Sequence, residues 1–292
     1  MILFTDGGST KCDWILMDHS GDVLLKTQTP GLNPAVVPQE EIERRILSNN
    51  ALQSAVEKVI ILDFYGAGCS TKTPVAMLQA TLSRIFTQAT ISVQEDMVAA
   101  VHAVTTTPGI VCILGTGSNS CYFDGTTLRT VAPSLGYSVM DEASGNYFGK
   151  QLLRDYFYGR MPAETASEFA ARFDLEPDTI KLNLYKRTNA NAYLASFAEF
   201  IFTSEAINDY FYQLIRKGVD EFIACRVLPF SEAKKVPIHF MGSIAHFSEK
   251  ILRDSCKEHG LQLGKVLQRP IDGLIDYYRT HRIQNGNTTK KH

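Results

Sequence analysis

The sequence predicts an α/β protein built twice over: two mixed β-sheets, each flanked by helices, with a cleft between the copies. Three observations carry that expectation. A hydrophobic strand ends in a glycine-and-hydroxyl turn and re-enters as a hairpin, first at Ile2-Leu3-Phe4-Thr5-Asp6-Gly7-Gly8-Ser9-Thr10 and again at Ile110-Val111-Cys112-Ile113-Leu114-Gly115-Thr116-Gly117-Ser118-Asn119. Strands alternating with amphipathic helices follow the first hairpin, the pattern of parallel crossover units. With 292 residues, 45% hydrophobic and 21% charged, the chain is long enough for two cores.

The first half opens with a meander: the strand before Gly7, a second over Lys11 to Met17 with the only tryptophan, Trp14, and a third over Val23 to Thr27. Gly31-Leu32-Asn33-Pro34 is a loop, because proline restricts Asn33 to extended or turn conformations. A helix is expected over 38–56, with Ile42, Ile46 and Leu47 on one side. Val59-Ile60-Ile61-Leu62 is an all-apolar strand running into Gly66-Ala67-Gly68. Thr73-Pro74 starts a helix whose stripe is Val75, Leu78, Leu82 and Ile85. A strand from Ala89 to Val93 ends at Gln94-Glu95-Asp96, and Met97 to Val104 is the helix after it.

The second half repeats the hairpin opening, with strands at 110–114, 120–123 and 128–131. Helices are expected over 144–158, 162–173, 190–202 and 204–226, the last with Ile207, Tyr210, Phe211, Leu214 and Ile215 at helical spacing. A strand at 236–241, the turn Gly242-Ser243, a helix over 244–259, a short strand at 266–268 and a helix over 273–282 complete it. The expected boundaries are 1–108 and 109–275, with 276–292 adding a helix free to pack back on the first unit. The polar tail from Gln284 to His292 is expected to be disordered.

Composition narrows the function classes. A formal net charge of −2 gives no field for nucleic acid. No run approaches the roughly eighteen apolar residues of a membrane span, and Asp6 breaks the N-terminal apolar stretch at once. Six scattered cysteines without a C-x-x-C pair read as buried free thiols and fit a reducing cytoplasm. The histidines form no metal-binding array.

The chemistry points to phosphate. Consecutive glycines after a strand let backbone amides approach an anion without a Cβ in the way. Gly7, Gly8, Ser9, Thr10 and Lys11 form one candidate cradle, and Gly115, Thr116, Gly117, Ser118 and Asn119 the other. Neither the Walker pattern nor G-x-G-x-x-G at a helix start occurs. Asp6 ends its strand at the first cradle and is a candidate magnesium ligand, or an Asx turn. Asp96 stands at a strand end before an apolar helix, where it can accept a proton from an attacking hydroxyl or cap the helix. Asp141 can bind a polyol hydroxyl or cap. Asn33 offers an amide donor and a carbonyl acceptor suited to sugar hydroxyls or an acetamido group. Gly66, Ala67 and Gly68 leave room for a ligand, and Gly242-Ser243 lets a nucleoside lie on the backbone.

With these residues the chain resembles the actin-like ATPase and sugar kinase superfamily, and within it the N-acetylglucosamine kinase branch grouped with the BadF/BcrA-type ATPases. The resemblance covers nearly the whole sequence. It implies two duplicated ribonuclease H-like domains. It also implies Asp6-Gly7-Gly8-Ser9-Thr10-Lys11 and Gly115-Thr116-Gly117-Ser118-Asn119 as phosphate motifs, Met241-Gly242-Ser243 in the adenosine motif and Asp96 as catalytic base. Asn33 and Asp141 are implied as sugar contacts, with Gly66, Ala67, Asn119 and Gly136 beside them. The implied activity is ATP- and Mg²⁺-dependent phosphorylation of N-acetylglucosamine at O6. The partner is a small amino sugar, with no nucleic acid or membrane, and a homodimer face is open in the helical second half. The alternatives are a BadF/BcrA-type ATPase acting as a switch for a partner protein, and a sugar sensor without activity. Kinase members commonly carry Gly-Gly-Trp-Gly and a glycine before the acidic cluster, whereas this chain has Ser134-Leu135-Gly136-Tyr137 and Met140.

Overall fold

The computed structural model describes residues 1–8, 11–187, 189–206 and 209–283, without the side chains of Arg282 and Ile283. Ile207 and the tail from Gln284 to His292 lie outside the described residues. The chain divides into two compact units: Met1–Ala103 together with the chain from Pro270 onward, and Val104–Arg269.

The first unit holds β1 (Ile2–Gly7), β2 (Lys11–Met17), β3 (Val23–Pro30), β4 (Ile61–Gly66) and β5 (Thr90–Glu95), in the order β3-β2-β1-β4-β5. Tight turns make β1, β2 and β3 antiparallel, one of them built by Asp18, whose carboxylate accepts the amides of Ser20 and Asp22. β4 and β5 join β1 in parallel, because helices such as Lys72–Ile85 make the crossovers. The period of two along each strand sorts side chains into two cores. Leu3, Trp14, Leu62 and Phe64 pack with Leu78 and Leu82. Phe4, Ile15 and Tyr65 pack with Ile271, Leu274 and Tyr278 from the C-terminal helix.

That helix is fixed by stacking and by a buried charge. The Phe4 and Tyr278 rings stack at 4.1 Å with an interplanar angle of 4°. The Tyr278 hydroxyl donates to Asp63 Oδ2 at 2.5 Å, and Asp63 is only 2% exposed. An unbonded carboxylate there would carry a large desolvation penalty. Asp63 also moves the strand expected at 59–62: β4 starts at Ile61 and continues through Asp63 to Gly66.

The second unit holds β6 (Gly109–Leu114), β7 (Ser118–Phe123), β8 (Leu128–Arg129), β9 (Pro237–Met241) and β10 (Gln262–Leu267), in the order β10-β9-β6-β7-β8. Its first three strands are antiparallel, and β9 and β10 add in parallel to β6. This is the strand order of the first unit, so the molecule has the duplicated α/β fold with two mixed sheets that the sequence predicts. Phe148, Phe169, Phe200, Phe222 and Phe240 dominate the core on the helical side.

Element boundaries differ in places. The helix expected over 38–56 stops at Leu47, and Asn49 caps a new turn from Asn50 by accepting the Leu52 amide. The helix expected over 190–202 is broken by a 3₁₀ turn at Phe197–Glu199. The long helix begins at Tyr210 and finishes in a π turn, Ile223–Val227. Helix Pro177–Tyr185 was not expected, although proline at its first position announces it. The strand expected at 266–268 is the end of β10, whose register shifts between Leu263 and Val266. The last helix starts at Pro270 instead of Gly273. Among the described residues no cysteine forms a disulfide, and no helix is long and apolar enough to cross a membrane.

Candidate nucleotide and acceptor sites

Parallel α/β sheets bind ligands beyond the carboxyl ends of their strands, and each unit places its singled-out residues there. In the first unit the ends align in register: Gly7 opposite Gly66, and Gly66 opposite Glu95. The Gly8 amide donates to Lys11 O at 2.8 Å and closes the first turn, while Ser9 and Thr10 lie outside the described residues. The Ala67 amide donates to Gly7 O at 2.8 Å, so the 66–68 loop folds against the first cradle. Gly68, at φ +80°, lies so close to Asn33 that a Cβ would sit 2.0 Å from Asn33 Oδ1. The room the sequence suggests at Gly68 is therefore occupied by the Asn33 side chain, whose Oδ1 also accepts the Ala35 amide.

Asp96 is the first residue of helix Asp96–Val104. Burial raises its carboxyl above the ordinary value, and hydrogen bonds from the Met97 amide and its own amide pull in the opposite direction. The strand ends at Glu95 and the helix begins at Asp96, which brings the two neighbouring carboxylates within range of each other. Burial first, and then Asp96, raises the Glu95 carboxyl. Cys69 also faces them: burial, then Asp96, then Glu95 push its thiol up to about 12.

Asp6 stands opposite Asp13 across β1 and β2. Like charges directly opposite destabilise a ladder unless something neutralises them. Lys11 Nζ lies 3.2 Å from Asp13 Oδ2, and Gln28 Nε2 donates to Asp13 Oδ1 at 2.5 Å. The Cys12 thiol is raised by burial and then by the charges of Asp6 and Asp13. Both Asp13 oxygens are thus engaged, so of this pair Asp6 is the hard oxygen ligand that suits a magnesium ion, and among the described residues no cluster of three or more metal-binding side chains forms. Asp13 was missed because its place opposite Asp6 depends on hairpin register.

In the second unit the turn after β6 is closed by the Gly115 amide donating to Gly117 O at 3.0 Å. Its carbonyls then receive the start of helix Gly145–Phe157: Gly145 N–H to Gly115 O at 2.7 Å, and Asn146 N–H to Thr116 O at 3.0 Å. Ser144, not Asp141, caps that helix by accepting the Tyr147 amide. The Asp141 carboxylate instead accepts the Ser118 amide at 3.3 Å and Asn146 Nδ2 at 2.8 Å, lying over Gly117. Asp141 and Ala143 hold positive φ values of 71° and 57°, which few non-glycine residues adopt without support. Gly136, on the loop leading to Asp141, accepts the amides of Val139 and Met140. Asn119 lies farther along β7, its Oδ1 accepting the Ser120 amide.

Because β6 and β9 are parallel neighbours, Gly242-Ser243 follows Met241 next to the second cradle. Gly242, at φ +115°, approaches so closely that a Cβ would meet Leu114 O at 2.2 Å. Its glycine is therefore explained by this close approach to the Leu114 and Gly115 backbone. A cavity of about 370 Å³ is lined by Gly115, Thr116 and Ser243, by the apolar Ala198, Phe202 and Phe247, and by Glu199. That is the size and the mostly apolar lining of a small-ligand pocket. The sequence did not reveal these apolar walls, since alanine and phenylalanine on helices read as core. His239 is buried in β9, accepts the Lys265 amide, and is lowered to about 4 by burial and then by Lys265, so it packs as a neutral ring.

No family model and no curated protein matches the sequence. Among solved structures, a protein from Porphyromonas gingivalis provisionally named an N-acetylglucosamine kinase superposes with a TM-score of 0.90 at 35% identity, over 97% of this chain and 100% of that one. A second of the same provisional name, from Chromobacterium violaceum, gives 0.70 at 18% identity over 94% and 98%. A ROK family glucokinase from Streptomyces griseus, in complex with glucose and AMPPNP, gives 0.63 at 15% identity over 94% and 97%. The last two show a shared fold.

Proposed function

The chain belongs to the actin-like ATPase and sugar kinase superfamily, and from that premise we propose that it transfers the γ-phosphoryl group of ATP to an amino sugar, N-acetylglucosamine at O6. The observation that carries this reading is the Asp96 carboxyl, which opens a helix directly after β5 at the same strand-end edge as a glycine cradle and the Asn33 loop.

The roles follow from each residue's surroundings. In the second unit the cavity walled by Ala198, Phe202 and Phe247 takes the base, and Ser243 lies where the base gives way to the Gly115–Gly117 turn. Phosphate oxygens need donors, and glycine-lined turns supply amides without side chains in front of them. In the first unit, Lys11 contributes a half-exposed cation beside Gly8. Asp6 would hold magnesium, which when bound neutralises charge on the outer phosphates. Asn33 positions the acetamido group or ring hydroxyls, and Asp96 accepts the proton of the attacking hydroxyl. A carboxyl raised by burial is a stronger base than a solvated one, provided the pH keeps it ionised.

ATP consumption measured with and without N-acetylglucosamine, with detection of the phosphorylated product, tests the assignment. Strongly sugar-dependent turnover and a sugar 6-phosphate are expected. Hydrolysis at one rate with or without any hexosamine would replace the kinase by an ATPase switch. A screen over glucosamine, N-acetylglucosamine, N-acetylmannosamine and glucose fixes the acceptor.

A further inference from the structure

The second unit contains a nearly buried cation that none of these roles uses. Arg226 has a side chain only 3% exposed and sits in the π turn Ile223–Val227, an irregularity that often marks a functional position. Its own carbonyl is tied to β7 by Ser120 Oγ at 2.8 Å. The guanidinium does not form a tight ion pair. Nη1 donates to the carbonyls of Ala132 at 3.3 Å and Pro133 at 3.5 Å, and Nη2 meets Met140 Sδ at 3.1 Å. Nε faces Glu142 Oε2 at 3.8 Å, and that oxygen is buried with no hydrogen-bond partner among the described residues. A second cation reaches the same segment from helix Gly145–Phe157: Lys150 Nζ donates to Tyr137 O at 2.6 Å.

We infer that Arg226 and Lys150 are positioning residues that clamp the 132–142 loop by its backbone, fixing Gly136 and Asp141 for the acceptor sugar. The inference rests on the amino-sugar reading, since Gly136 and Asp141 are sugar contacts by resemblance. Three features of the loop require such a clamp. Positive φ at Asp141 and Ala143 stores strain that something must hold. Leu135 and Val139 are 58% and 69% exposed, which leaves Tyr137 as the side chain through which the loop packs on the core. The two cations reach it mainly through carbonyls, which every residue has. The loop can therefore carry Ser134-Leu135-Gly136-Tyr137 and Met140, a sequence unlike that common in the family, without losing its place. Hydrogen bonds from a charged donor, sheltered from water, are among the stronger of their kind.

The test uses Lys150→Met, at a half-buried position, and Arg226→Lys, which keeps the charge but cannot reach all the acceptors at once. The KM for N-acetylglucosamine should rise on the order of tenfold in each, because small misplacements of a binding group are expensive. AMPPNP affinity should stay at the native level, and Lys150→Arg should recover most of the loss. In Lys150→Met, hydrogen exchange at the Val139 and Met140 amides should be faster than in the native protein. A native sugar KM in Lys150→Met with unaltered exchange overturns the clamp. So does a parallel fall in sugar affinity, AMPPNP affinity and melting temperature, which would mark general loosening. If the native protein shows no sugar-dependent turnover, the kinase reading fails on its own, and the exchange measurement still decides whether the loop is clamped.

Discussion

The two units share one strand order, yet the ends of their central strands are chemically unlike. At the first unit's edge, carboxylates gather: Asp6 faces Asp13 across a hairpin, and burial and then the neighbouring Asp96 raise the Glu95 carboxyl. At the second unit's edge, a cavity with apolar walls opens beside Gly115, Thr116 and Ser243. Burying like charges together is unfavourable unless a proton, a cation or a reaction uses them. A cavity with apolar walls needs no such compensation. On the proposed function, the first copy carries the catalytic base, and the second carries the nucleotide cavity together with the loop that reaches the acceptor.

That contrast can be broken or sharpened by substitutions on either side. The largest effect is expected from Asp96→Asn: turnover should fall by about 10²–10⁴, with AMPPNP affinity unchanged. Near-native turnover would remove Asp96 from the chemistry. On the other side, Gly242→Ala forces a Cβ toward Leu114 O at positive φ. It should lower stability by about 1–3 kcal/mol and weaken AMPPNP binding, as read by thermal melts and by calorimetry. An unshifted melt would show that the close approach relaxes freely.

A comparable effect on stability, with no direct effect on nucleotide binding, is expected from Tyr278→Phe. It removes the hydroxyl bonded to buried Asp63 and should cost about 1.5–3 kcal/mol. The smallest effect concerns pH. A carboxyl raised in the folded state contributes stability below its unfolded value and loses it as pH rises through the folded one. Asp96 is raised, so Asp96→Asn should melt at or above the native temperature at neutral pH, and the gap should close in acid. The acid limb of native turnover should also lie above the ordinary aspartate value of 3.8. A limb at or below that value would contradict the burial argument.

Much of this was legible in the sequence because it rests on local pattern. Gly7-Gly8 and Gly115-Thr116-Gly117 after apolar strands mark both turns, and the repeated hairpin marks the duplication. Asp96 stands out as a carboxylate between an apolar strand and an apolar helix. What was not legible depends on contacts far apart in the chain. Asp13 is recognisable only once β1 and β2 are in register. Ala198, Phe202 and Phe247 become cavity walls only when the segments 197–203 and 243–247 come together beside the second turn. Arg226 acts on residues 132 and 133, a separation no periodicity encodes. Asp63, inside a run that continues an apolar strand, is tolerated because Tyr278 returns from the far end of the chain.

Equilibrium binding of AMPPNP to Asp96→Asn and Gly242→Ala, titrated side by side with the native protein, tests this division of labour most directly. The account predicts native affinity for Asp96→Asn and clearly weaker affinity for Gly242→Ala. Native affinity in Gly242→Ala, or lost affinity in Asp96→Asn, would contradict it.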